Sequence, residues 1–169
     1  MAGSYITKRA LAESLKRLME NEPLSKISIQ EICDGCHLCR KSFYYHFEDK
    51  YALIFWIFNT ELLAETNGYA DGWGAIEDIC GYFYRNRSFY RKVLKDDEGR
   101  LFAEHLREIV YEAMAEIISR DIDNSDVVNM RAEFYADAFC CSLLRWLMEK
   151  ESVDNSEFVS RLRRAVEIT

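Results

Sequence analysis

A single proline, Pro23, interrupts the 169 residues of this chain. Proline ends helices because it lacks an amide donor and its ring meets the preceding turn, so almost all of the chain is free to be helical. Apolar residues recur at helical spacing: Leu11, Leu15, Leu18 and Met19 form one stripe, and Ile29, Ile32, Cys33 and Cys36 another. No run of alternating β-branched residues competes with that pattern, and the seven glycines fall mostly between the periodic segments. The expected fold class is all-α, with helices joined by short loops.

Local punctuation sets the boundaries. Thr7 can cap a first helix, with Ile6 and Leu11 as its hydrophobic staple, and that helix ends before Pro23. Ser28 is a good N-cap for a short second helix, a third runs from about Cys39 to His46, and Asp49 caps a longer one. The longer helix carries Leu53, Ile54, Ile57, Phe58 and Leu62 and fades near Asn67-Gly68. After Asp71-Gly72, helical patterns follow at about 73–86, 88–95, 99–120, 126–150 and 154–167. The sequence has no internal repeat and no proline-rich linker.

Composition narrows the function classes. With 49% hydrophobic and 14% aromatic residues the chain can bury a core without disulfides or a structural metal, and its six cysteines read as reduced thiols. No apolar run approaches the roughly 18 to 20 residues of a membrane span, and the N-terminal MAGSYITKRALAES lacks a signal-peptide core. A cytoplasmic protein with no membrane partner is expected. The net charge of −7 is uneven: residues 1–50 carry eight basic and seven acidic side chains, whereas the rest carries 14 and 22. The acid therefore lies outside the N-terminal segment. The sequence contains no nucleotide-binding loop, nucleophile elbow or His-Glu-x-x-His, so no catalytic residue and no cofactor is expected. Cys33, Cys36, His37, Cys39 and His46 could be imagined as zinc ligands, but His46 projects from the far end of the third helix and no metal is expected.

Between Ile27 and Phe47 two short helices are separated by a tight turn, which is the spacing a helix-turn-helix requires. The stretch ISIQEICDGCHLCRKSFYYHFEDKYALI resembles the signature of the TetR family of transcriptional regulators: hydroxyl cap, apolar helix, turn, basic residue, Phe-Tyr-x-x-Phe and a lysine opening the next helix. The resemblance spans residues 5–65. Further on, NRSFYRKVLKDDEG and EFYADAFCCSLLRWLMEK resemble the short C-terminal region of one subset, which includes activators of dihydroxyacetone-kinase operons.

The resemblance implies a helix-turn-helix DNA-binding domain at 1–48 and a helical dimerisation and effector-binding domain at 49–169. Carried over position by position, it puts the DNA contacts on Ser28, Arg40, Lys41, Ser42, Tyr44, His46 and Lys50. Each has suitable chemistry: cations for guanine edges or phosphate, hydroxyls for either, and for Lys50 the amide dipoles of a helix N-terminus. Phe43 and Phe47 are expected to point inward. Two positions depart from the family pattern, because the turn usually carries Gly and a Ser or Thr cap where this chain has His37 and Cys39. His37 must then take a left-handed backbone, and Cys39 is a poor cap.

The resemblance also implies that the last two long helices pair with their copies in a homodimer. Helical spacing nominates Phe134, Ala138, Cys141, Leu144, Arg145 and Met148 for that seam. The aromatic positions Trp56, Tyr82, Phe83, Phe102, Tyr111 and Tyr135 are candidates for an effector cavity, with ordinary core packing as the alternative. His105 reads as a surface residue and Cys140-Cys141 as core filling. The expected partners are double-stranded DNA, a second copy, and a small-molecule effector or a protein co-regulator. The alternative function is a co-regulator of this fold that acts through a protein partner with weak DNA binding of its own.

Overall fold

A computed structural model describes residues 2–65, 72–150 and 153–166. Among the described residues there are nine α-helices and no strand. They are α1 (Ala2–Asn21), α2 (Ile29–Asp34), α3 (Arg40–His46), α4 (Lys50–Glu65), α5 (Gly72–Arg85), α6 (Arg87–Leu94), α7 (Gly99–Ile118), α8 (Ser125–Met148) and α9 (Asn155–Val166). A 3₁₀ turn, Leu24–Lys26, follows Pro23. The expected fading of α4 at Asn67-Gly68 lies outside the described residues.

The N-terminal three helices close on one apolar centre. Leu11, Leu15 and Met19 of α1 are buried with Ile32 of α2 and with Phe43 and Phe47, the two rings expected to point inward. Side chains of α1 also finish α2, whose last carbonyls have no partner within the helix. The buried Ser14 hydroxyl donates to Ile32 O at 2.7 Å and the Arg17 guanidinium to Gly35 O at 2.9 Å. The approach is so close that a Cβ on Gly35 would lie 2.3 Å from Ser14 Oγ, which is why glycine stands there.

The start of α1 departs from the sequence expectation. Thr7 is not its cap: the helix begins at Ala2, and the Thr7 hydroxyl bonds back to Gly3 O at 3.0 Å inside it. Cys36 likewise lies past the end of α2, which stops at Asp34. Asp49 does cap α4, its Oδ1 accepting the amides of Tyr51 and Ala52 at 2.8 Å each.

The remaining helices form a bundle around stacked rings. Phe58 lies 5.3 Å from Phe102 and 5.8 Å from Phe83, and Tyr90 is 4.8 Å from Phe83 and 5.2 Å from Phe102. Arg107 of α7 pairs with Asp137 of α8, and Tyr111 donates to Asn129 at 3.3 Å, so these two long helices run antiparallel. His105 is not a free surface residue: it is half-buried, 4.8 Å from the Phe55 ring and 3.2 Å from Asn59 Oδ1. Cys140 fills core as expected, whereas Cys141 is exposed because adjacent residues of a helix diverge by about 100°.

One short helix ties the two groups together. From α6, Lys92 donates to Met19 O and to Glu20 O (2.9 Å), capping the end of α1. Arg87 of the same helix donates to Leu147 O (3.0 Å), Trp146 O (3.2 Å) and Glu149 O, and Arg91 to Met148 O (3.3 Å), capping the end of α8. A second link is polar and partly buried. Lys16 pairs with Glu61 at 2.5 Å, Glu61 accepts from the Tyr82 hydroxyl at 3.0 Å, and Tyr82 shares a hydrogen with Tyr90 at 2.5 Å.

His37 adopts φ 57°, the left-handed conformation expected of it and the only positive φ among the described non-glycine residues. That conformation costs a residue with a Cβ roughly 1–2 kcal/mol. Replacing His37 with Gly is therefore expected to raise unfolding stability by up to about 1 kcal/mol, measured as a higher urea midpoint. A lower midpoint would show that the imidazole compensates for its own strain.

Candidate nucleic-acid interface

The short helix α2 is fixed at its start by a reciprocal cap. Ser28 Oγ accepts the Glu31 amide at 3.2 Å while Glu31 Oε2 accepts the Ser28 amide at 2.8 Å, the two orphan donors that a capping box satisfies. The Ser28 hydroxyl also donates to Glu31 at 2.7 Å, and these bonds hold the Glu31 carboxyl below its usual range. Of the expected DNA contacts, Ser28 is thus already engaged within its own turn.

The next helix, α3, has its N-terminus at Cys39, whose side chain caps nothing. Cys39 Sγ lies 3.3 Å from Ser42 Oγ instead, and this bond lowers the thiol's pKa from its ordinary value. The helix is held by Phe43, fully buried against α1, and everything else follows from helical rotation away from that ring. Three pairs at i, i+4 then divide the outer surface: Arg40 with Tyr44, Lys41 with Tyr45, and Ser42 with His46. Arg40 Nη2 donates to the Tyr44 hydroxyl at 3.2 Å, and its guanidinium lies 5.8 Å from the Tyr44 ring. Tyr44 is 50% exposed and Tyr45 82%, with the His46 ring edge-on to Tyr45 at 4.9 Å.

Tyr45 is the residue that sequence reasoning missed. The signal was present, because a position two residues beyond a buried anchor lies on the opposite side of a helix. Gln30 is a second exposed polar side chain, on α2, oriented by a 2.7 Å bond from its Nε2 to Asp34.

Lys50, the last of the expected DNA contacts, has partners within the chain. Its Nζ donates to Leu24 O at 2.7 Å and Ile27 O at 3.4 Å, clamping the first residue of α4 to the 3₁₀ turn. The ammonium thus ties the start of α4 to the turn that precedes α2. The thiols also separate: Cys36 Sγ faces Ile32 O and Cys33 O at 3.4 Å each, and Cys39 faces Ser42. Among the described residues no three His, Cys, Asp or Glu side chains are grouped to hold a metal.

The positions nominated for an effector are spread over several parts of the fold. Tyr82, Phe83 and Phe102 are buried in the ring stack, and Trp56 faces Tyr5 and Phe47. Tyr111 reaches Asn129, and Tyr135 lies exposed beside Phe134. Two cavities lie elsewhere. One of about 280 Å³ runs between α8 and α9, and one of about 200 Å³ sits where α1 meets the α5–α6 junction. The dimer positions share a face: Phe134, Ala138, Cys141, Arg145 and Met148 all lie on the outer side of α8, with Leu144 half-buried at its edge.

Helix-turn-helix and bundle together define a transcriptional regulator of the TetR type, and the chain belongs to that family: the family described as the TetR transcriptional regulator C-terminal region matches residues 73–167. It is related to the DhaS subset. It is 28% identical over 102 residues to the HTH-type dhaKLM operon transcriptional activator DhaS of Lactococcus lactis subsp. lactis (strain IL1403), covering 59% of this chain. The match spans about half, 54%, of that relative's length. The fold is similar to that of a solved dihydroxyacetone kinase operon activator DhaS (TM-score 0.72, 22% identity, 97% of this chain and 98% of that one). It is also similar to a TetR transcriptional regulator from Streptococcus agalactiae 2603V (TM-score 0.65, 20% identity, 98% and 96% covered).

Two measurements check the assignments made here. Lys50→Met is expected to cost about 2 kcal/mol in urea unfolding, the value of charge-assisted bonds to buried carbonyls; an unchanged midpoint would return Lys50 to a surface role. Cys39, exposed and with its thiol pKa lowered by Ser42, is expected to react first with iodoacetamide, while burial pushes Cys80 and Cys140 up to about 12 and keeps them inert until unfolding.

Proposed function

We propose that this protein is a cytoplasmic, non-enzymatic transcriptional regulator that binds a palindromic operator as a homodimer, residues 1–48 reading DNA and 49–169 pairing the copies. The observation that carries the reading is the outer face of α3, where Arg40, Lys41, Tyr44 and Tyr45 stand exposed on a helix anchored by the fully buried Phe43. Arg40 held by Tyr44 offers a preset guanidinium for a guanine edge, Lys41 supplies phosphate charge, and Ser42 and His46 flank them. Two such helices related by a two-fold axis would enter successive major grooves. The DhaS relative is named as an operon activator, which favours activation over repression.

An input on the bundle has a short route to this face. Helix α4 begins at the Lys50 clamp and carries Glu61, so any shift of α4 against α1 re-aims α3. No small-molecule effector is assigned, because the six nominated rings are spread over several parts of the fold.

A second reading keeps the fold but gives the specificity to a protein partner. It is favoured by the strained His37 and the uncapped Cys39 at the start of the reading helix.

Mobility-shift titrations on the intergenic DNA upstream of the protein's own gene separate the two. Autonomous reading predicts sequence-selective binding that weakens with salt. Lys41→Ala is expected to weaken all DNA alike and reduce the salt slope by about 1, whereas Arg40→Ala is expected to cost about 1–3 kcal/mol on the operator only. Absence of any sequence preference at low salt in the purified dimer would favour the partner reading instead.

A further inference from the structure

The cleft of about 200 Å³ where α1 meets the α5–α6 junction is separate from the reading face, and none of the six rings nominated from the sequence lines it. One wall is α1, with Lys16 and Glu20. The other is Arg85 at the end of α5, Asn86 at the junction, and Ser88 and Phe89 at the start of α6. Among the described residues that line it, Glu20 is the one acid, against two cations. The walls are tied together beside it, because Lys92, one turn beyond Ser88 on α6, donates to Met19 O and to Glu20 O (2.9 Å). The space left open between them has room for about seven water molecules.

Lys16 joins this cleft to the link between reading head and bundle. Its ammonium lies 2.5 Å from Glu61 Oε1 and 5.7 Å from the centroid of the Phe89 ring, and its side chain is 28% exposed. An ammonium has three donors, and Glu61 takes one. An anion seated beside Phe89 is therefore within reach of the same charge. Two neutral polar groups stand nearby: Asn86, fixed by the bond of its Nδ2 to Tyr82 O at 3.0 Å, and the exposed Ser88 hydroxyl.

Resting on the regulator reading above, we propose that this cleft binds a small organic oxyanion, a carboxylate or phosphate ester of a few carbons, as an effector. Lys16 and Arg85 meet its charge, Asn86 and Ser88 its polar substituents, and the Phe89 ring its apolar side. Bound there, the anion competes with Glu61 for Lys16. Since Lys16 belongs to α1 and Glu61 to α4, easing that pair frees α1 against α4, the shift that re-aims α3. Larger ligands are excluded by size, because sites for drug-sized molecules enclose roughly 300–1,000 Å³.

Methionine labelled with carbon-13 at its methyl gives a readout that needs no DNA, since Met19 lines the cleft whereas Met130 lies exposed on α8. The probes are glycolate, phosphoglycolate and inorganic phosphate at millimolar concentration, with ethylene glycol as the uncharged control. Glycolate or phosphoglycolate is expected to shift the Met19 resonance and not that of Met130, and to bind more tightly than inorganic phosphate. Lys16→Met is expected to weaken this binding at least tenfold, as is Ser88→Phe, which fills the cleft and leaves the ion pair intact. Glu61→Gln is expected to tighten it severalfold by releasing Lys16. In mobility-shift titrations the bound anion is expected to change operator affinity, and Glu61→Gln to move it the same way with no anion added, circular dichroism confirming that the helices remain.

No response of Met19 to either organic anion, an equal response to ethylene glycol or inorganic phosphate, or binding indifferent to both Lys16→Met and Ser88→Phe would overturn the site. Binding at Met19 that leaves operator affinity unchanged would overturn the effector role. A protein without sequence preference on DNA would overturn the regulator reading while leaving the anion site standing.

Discussion

The structure depends on helix ends that another helix must finish. An α-helix leaves its last carbonyls without partners, and inside a protein they require donors. Here the eight residues of α6 supply them to two helices at once: Lys92 to α1, Arg87 and Arg91 to α8. These are charged donors at the negative end of helix dipoles, where cations are favoured. The reading helices and the face proposed for dimerisation are therefore both referred to one short element. Arg87 keeps this post although burial and the neighbouring Arg91 lower its pKa, since a guanidinium stays protonated far above neutral pH.

The reading head is built on the same economy of fixed points. Phe43 anchors α3, Ser14 and Arg17 finish α2, and Lys50 locks the turn that precedes it. Against these the start of α3 is weak, because Cys39 offers its helix no side-chain bond and His37 holds a left-handed backbone. The site is thus held from behind, by its buried side, and its leading edge is the least supported part.

Much of this was legible in the sequence, and the reason is local. Ser28, Asp49 and Pro23 act on residues within a turn of themselves, and apolar spacing marks which ring faces inward, so the starts of α2 and α4, the end of α1 and the burial of Phe43 and Phe47 could be read directly, whereas the start of α1 could not. The left-handed backbone of His37 was legible through the family resemblance, whose pattern has glycine at that position. What could not be read were contacts made at long range. Lys50 reaches back 23 to 26 residues, Lys92 over seventy, and Arg87 forward about sixty. A lysine looks the same in sequence whether it faces phosphate or a carbonyl. Three of the six effector positions, Tyr82, Phe83 and Phe102, fell on rings that fill the core, because abundance of aromatics says nothing about whether they leave space between them. His105 was misplaced because its charged neighbours along the chain are not its neighbours in the bundle.

Glu61 gives this arrangement a cooperative character. Its two oxygens are divided between Lys16, in the first helix of the reading head, and Tyr82, in the bundle, and Tyr82 continues to Tyr90. Only the Lys16 bond crosses from α1, while Glu61, Tyr82 and Tyr90 all belong to the later helices. The boundary near residue 48 is crossed by this bond from α1 to the bundle, so losing the order of α1 removes a partner from Glu61.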